Sequence, residues 1–444
     1  PSIRLRILSA LSLERPRGKS ELERRLIEPL AERLFGDYPE LEYTRDLRAG
    51  VLPPNVDVSE FYFSPGAFLG HEAAQERYVS ANYTAVVRDL LSCGLNVLAQ
   101  MIAIDTTGPE GPRYSLSSNT DVTLDLLPIL AHRRGKGERI AFVAQTNRNL
   151  PFMGNDAVVP AEVFDGIVDN PSLDFRLFGP PSMSVGDADY AIAIHASALV
   201  RDGGTLQLGI GALGDAVTYM LCMRHEHNAA YRELLQATGA LKYFGGPIEC
   251  SGGMGPFREG LYGSTEMLVS GFLELRRAGI LKREVYDDID LQGLLNEGAI
   301  GETVTPETLE ALVDRGAVGP VLTGADFARL QRLGVFRDGL RYEDGMLHLD
   351  AETVIPADLR DPAVFDAVAR RGLGERLRGG RWLHAGFFVG PQRMYEELRA
   401  MDPAELDGIN MTKISRVNSL FGDEMLRRVQ RKDARFLNSG LIAT

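Results

Sequence analysis

The stretch Asp202-Gly203-Gly204-Thr205-Leu206-Gln207-Leu208-Gly209-Ile210-Gly211-Ala212-Leu213-Gly214 decides how this chain is read. Leu206, Leu208 and Ile210 alternate with Thr205, Gln207 and Gly209, a period of two that predicts a buried strand. Gly209 and Gly211 interrupt the alternation. From Asp215 onward, Ala216, Val217, Met220 and Met223 recur at helical spacing, so a helix is expected to open at Asp215. Glycines at such a strand-to-helix turn let the backbone approach a ligand closely, and free N–H groups at the helix start can receive negative charge. The dinucleotide fingerprint Gly-x-Gly-x-x-Gly is matched in form by Gly209, Gly211 and Gly214. No strand-end acid follows at the distance a ribose contact requires, so nicotinamide chemistry is a rival reading only.

The chain has 444 residues, 44% of them hydrophobic, with 47 glycines, which is enough for two or three domains with full cores. A net charge of −13 argues against a general nucleic-acid binder. The three cysteines, Cys93, Cys222 and Cys250, have no metal-site spacing and cannot all pair, which fits a reducing, cytoplasmic compartment. No apolar run approaches a membrane span, and the N-terminal segment lacks the apolar core of a signal peptide. Neither nucleic acid nor membrane is expected as a partner.

Working outward, residues 18–35 read as a charged amphipathic helix with Leu22, Leu26, Leu30 and Leu34 four apart. Residues 102–105 and 140–145 read as strands with a helix at 123–132 between them, the pattern of a parallel sheet covered by helices. After Asp169 the chain turns proline-rich, with Pro171, Pro180 and Pro181, and a domain boundary is expected there. The predicted organisation is α/β, with an N-terminal domain over 1–182 and a second over 183–444. An insertion of modest helices and hairpins is expected at about 286–381, and strand character resumes at Trp382. The apolar ending around Leu437, Leu441 and Ile442 reads as a second domain that is incomplete at Thr444.

The chemistry centres on Tyr262-Gly263-Ser264-Thr265-Glu266-Met267. One reading is structural. Ser264 or Thr265 caps a helix running through 268–281, and Glu266 sits in its first turn, where the helix dipole favours a carboxylate. The other makes Glu266 a nucleophile: a partly desolvated carboxylate near a glycine turn can attack a thioester carbonyl while backbone N–H groups hold the oxyanion. The histidines are scattered, and His225 with His227 lacks a third ligand, so no metal site is expected. Cys222 and Trp382 read as packing residues. Arg276, Arg277, Lys282 and Arg283 complement a helix C-terminus or meet phosphates.

Taken together, the 202–212 stretch and Ser264-Thr265-Glu266-Met267 resemble the acetyl-CoA hydrolase/acyl-CoA transferase family, which includes acetate, succinate and 4-hydroxybutyrate CoA-transferases. Ala144-Gln145-Thr146-Asn147-Arg148-Asn149-Leu150-Pro151, Arg416-Val417-Asn418-Ser419 and Phe436-Leu437-Asn438 also resemble segments of that family. The resemblance implies two open-sheet α/β domains with the active site between them. It implies that Glu266 forms a glutamyl-CoA thioester, that Gly209 and Gly211 lie beside the thioester, and that Asn418 contacts the CoA-linked intermediate. It further implies acyl-CoA and a small carboxylate or water as reactants, coenzyme A as substrate with no tightly bound cofactor, and a homodimer. Two departures stand out. The 286–381 stretch lacks a counterpart in compact family members, and the family's later Gly-x-Gly-Asp-Phe loop is absent from this chain. A non-catalytic CoA- or nucleotide-sensing protein on the same scaffold is the alternative.

Overall fold

The computed structural model describes residues 3–10, 12–63, 67–418 and the backbone of 437–439. Among them are two five-stranded sheets. In the first, Val97–Asp105 lies between Ala141–Thr146, parallel to it, and Arg113–Ser115, antiparallel to it. Gly166–Val168 and Val158–Val159 form its edges. The helix Thr120–Gly135 crosses over between the parallel strands, close to the sequence expectation. The second sheet is parallel throughout, in the order Ile409–Met411, Leu383–Phe388, Tyr262–Leu268, Thr205–Gln207, Leu437–Ser439. Its central strand is therefore the one that carries Glu266. Residues 435–436 and 440–444 of the expected terminal strand lie outside the described residues, as does Ser419.

The opening stretch folds as strand, turn and helix, with different boundaries. The strand stops at Gln207, leaving Ile210 55% exposed, and the helix Ala212–Glu226 begins three residues before the expected Asp215. Gly211 holds φ +110°, which an L side chain rarely adopts, and so lets the helix start directly after the turn. Gly214 answers a contact within the turn: a Cβ there would stand 2.2 Å from the Gly209 carbonyl oxygen. The third glycine of the fingerprint is thus explained by close packing of turn on helix, with no nucleotide needed. Asp202 is also structural. Its carboxylate accepts the backbone N–H groups of Arg258, Glu259 and Gly260 at 2.7, 3.0 and 2.8 Å, anchoring the entry to the central strand.

The two sheets share one hydrophobic cluster, in which Leu150, Met153 and Leu177 meet Leu206, Tyr231, Phe272 and Trp382. Polar ties cross the same junction. Ser118 Oγ donates to Phe388 O at 2.7 Å, Thr120 Oγ1 to Gly386 O at 2.8 Å, and Thr412 Oγ1 to Asp156 Oδ2 at 2.7 Å. The 286–381 stretch holds four helices and a three-stranded antiparallel meander around a second cluster that includes Tyr286, Leu309, Leu330 and Phe336.

The helix Glu21–Phe35 forms as expected, with Ser20 and Glu23 in a capping box. Its leucine stripe does not pack on the rest of the described chain: Leu22 and Leu26 are 78% and 75% exposed, and Ala31 and Phe35 are buried instead. Periodicity predicted the helix correctly but not which of its faces is covered.

Candidate active site

The helix-start reading of Glu266 is overturned. Tyr262–Leu268 is a strand, and the next helix is Ser270–Arg277, beginning only after Glu266 has passed. The reason is pairing on both sides. Leu383–Phe388 and Thr205–Gln207 hydrogen-bond to this strand, and Gly263 admits Leu383, whose Cδ1 would lie 2.3 Å from a Cβ placed there. Ser264 and Thr265 are buried strand residues, not caps. Glu266 consequently lies toward the carboxyl end of a central parallel strand, where α/β sheets hold their ligands.

Register brings the glycine turn to the same level. Leu206 pairs with Gly263, and the Thr265 hydroxyl donates to Leu208 O at 3.3 Å, so Gly209 follows alongside Glu266. Asn418 arrives from the end of the Ile414–Val417 helix and donates through Nδ2 to Glu266 Oε2 at 2.6 Å. Sequence reading and tertiary structure thus bring Glu266 and Asn418 together across 152 residues. Burial pushes the Glu266 carboxyl above the ordinary glutamate range, and the Asn418 donor pulls it back down.

The sequence reading missed three residues at this site. Register pairs Gly386 with Glu266, since Ala385 lies opposite Thr265 and Phe387 opposite Met267. A Cβ on Gly386 would come 3.0 Å from Glu266 O, 3.1 Å from Ile414 Cδ1 and 3.6 Å from Asp121 Cβ. Asp121, in the first turn of Thr120–Gly135, fills the space that a side chain at 386 would occupy, and it accepts the phenolic proton of Tyr83. Burial raises the Asp121 carboxyl to about 6, against the lowering effect of the Tyr83 hydrogen bond. A lone glycine within a strand pattern is a recognisable sign of close approach, so Gly386 was within reach of sequence reading. Nothing local marks Tyr83 or Asp121.

Other sequence candidates have structural roles. Asn147 and Asn149 both donate to Phe175 O, at 3.0 and 2.9 Å. Arg276 is held by Glu405, and Arg277 by Glu274 and Glu397. Arg283 donates to Thr205 Oγ1 at the opposite end of the sheet from Glu266. Burial pushes the Cys222 thiol up to about 11, so it stays protonated at neutral pH. Cys222 lines a groove of about 790 Å³ between the helices Ala212–Glu226 and Ser270–Arg277, with Asp215, Thr218, Ser270 and Glu274; Glu266 is not on that lining. Among the described residues no cluster of His, Cys, Asp and Glu is arranged to hold a metal ion, and no helix is long and apolar enough to cross a membrane.

A parallel α/β sheet presenting a carboxylate at its carboxyl edge, bonded to an asparagine and level with a glycine turn, defines a class of site suited to acyl transfer. Among known proteins the chain is 32% identical over 102 residues to the 4-hydroxybutyrate coenzyme A transferase of Clostridium kluyveri, a match covering 22% of each protein. The resemblance to CoA-transferases therefore holds over that segment, which spans about a fifth of the relative's length. No family model matches the chain. Among solved structures, RipA from Yersinia pestis is similar at 16% identity with a TM-score of 0.43, covering 94% of this chain and 66% of that one. A 4-hydroxybutyrate CoA-transferase from Porphyromonas gingivalis is similar at 14% identity with a TM-score of 0.38, covering 81% and 57%.

Proposed function

We propose that this chain carries out acyl-CoA transfer through a covalent glutamyl-CoA thioester on Glu266. The observation that carries the reading is the 2.6 Å hydrogen bond from Asn418 Nδ2 to Glu266 Oε2 at the carboxyl edge of the central strand. A Glu266 oxygen attacks the thioester carbonyl of an acyl-CoA, and CoA thiolate leaves as a mixed anhydride forms. The thiolate then attacks the Glu266 carbonyl carbon and expels the donor acid as its carboxylate, leaving glutamyl-CoA. A second carboxylate reverses the sequence and departs with CoA; in a hydrolase, water takes its place. Backbone N–H groups at Gly209 and Gly211 are assigned to the oxyanion. Asn418 orients the carboxylate and later donates to the carbonyl oxygen of the intermediate. We assign the domains as 1–182 and 183–444.

The test is covalent trapping. The protein is incubated with acetyl-CoA, reduced with borohydride and mapped by peptide mass spectrometry. Reduction of a glutamyl-CoA thioester converts the Glu266 side chain to an alcohol, a mass change confined to that peptide. Glu266→Ala should keep the fold and lose turnover by about a thousandfold or more. Full turnover in folded Glu266→Ala would refute the proposal. CoA binding that raises the melting temperature without any trapping would instead favour a sensor.

A further inference from the structure

We infer that Asp121, held by Tyr83, is a positioning residue for Glu266: a second carboxyl, supplied by the first sheet's crossover helix, stands beside the nucleophile over Gly386 and sets when that nucleophile is ionised. The inference rests on the reading of Glu266 as nucleophile.

The geometry starts from the register. Paired residues of parallel strands direct their side chains to the same face, so positions 386 and 266 are neighbours on one face. Position 386 has no side chain, and Asp121 takes its place, with Cβ 3.6 Å from where a residue-386 Cβ would be. Two ties on the strand's carbonyl groups, from Ser118 and Thr120, fix the helix start in that seat. Asp121 is 7% exposed.

The charged surroundings offer little relief. Tyr83, from the turn Tyr83–Ala85, donates to Asp121. Glu266 faces it from the strand and disfavours its ionisation. One turn along the same helix, Asp125 is engaged by Ser415, with Lys413 Nζ at 3.7 Å. On the neighbouring helix Val86–Ser92, Arg88 and Asp89 pair with each other. Two carboxyls side by side in a largely dry junction release their protons in coupled steps, and each makes the other harder to ionise. A wholly structural Asp121 could be an asparagine without consequence for Glu266. A coupled one could not.

The experiment reads Glu266 directly. Carbodiimide with an amine labels protonated carboxyls, so labelling of the Glu266 peptide in the full chain, followed by mass spectrometry from about pH 4 to 9, gives its ionisation midpoint. Asp121→Asn keeps an acceptor for Tyr83 and removes the charge; it should lower the Glu266 midpoint by about one pH unit. Tyr83→Phe leaves Asp121 protonated to higher pH and should lower the Glu266 midpoint by a smaller amount. Midpoints within about 0.2 unit of the parent in both folded variants would overturn the inference. Borohydride trapping on the same proteins separates the two ideas. Absence of trapping in the parent chain removes the nucleophile, whatever the midpoints do. Trapping with unmoved midpoints removes only Asp121's part.

Discussion

Asn418 and Asp121 act on Glu266 in opposite senses. The Asn418 amide favours the ionised carboxylate, so removing it raises the pH at which Glu266 becomes reactive. Asn418→Ala should therefore shift the acid limb of acyl-CoA turnover upward and lower the rate about 10- to 100-fold, the worth of one hydrogen bond to a charged group; a pH–rate profile checks both. Asp121 bears on stability as well. Its folded-state value of about 6 lies above the ordinary aspartate value of 3.8, so the fold binds this proton more tightly than the unfolded chain does. That contribution is complete below about pH 4 and is lost as the pH rises through about 6. Asp121→Asn should accordingly stabilise the protein at pH 7 by up to about 3 kcal/mol and gain nothing at pH 4, as measured by denaturant melts at the two pH values.

At the scale of elements, the strand-to-helix turn is built on backbone approach. The Gly209 carbonyl occupies the position a Gly214 side chain would need, so Gly214→Ala must displace either the turn or the first helical turn. A cost of about 1–3 kcal/mol is expected, with a loss of Glu266 trapping out of proportion to the loss of fold, measured by melts and by trapping on the same sample. The helix that follows is pinned at its far end by Arg224. Its buried guanidinium donates to Gly255 O at 2.8 Å and to Ser197 O at 2.9 Å and lies 4.3 Å from the Phe257 ring. Both ends of the helix are thus fixed from outside it. Its weakly patterned sequence alone would not have placed it.

At the scale of the whole molecule, the 286–381 stretch packs around its own cluster, while the two sheets share another. Leu330 is fully buried in the former, and Leu330→Ala should cost about 2–5 kcal/mol. Hydrogen exchange should show the loosening confined to that stretch, with Glu266 trapping retained at temperatures where the sheets stay folded. The sequence by itself determined the α/β class, the strand-turn-helix at 205–226, the crossover helix and the importance of Glu266, because each leaves a periodic or motif-bound trace in neighbouring residues. It could not determine that Glu266 lies on a strand, since Ser264-Thr265-Glu266 is equally good cap chemistry. Only pairing with Leu383–Phe388 and Thr205–Gln207 excludes the helix. Nor could it find Tyr83 and Asp121, whose partners stand 121 or more residues away from them in the second sheet's part of the chain or, for each other, 38 residues apart. Periodicity reports the face an element turns to its nearest surroundings. The meeting of two sheets at a glycine is decided by shape across the junction, and that exists only once the chain is folded.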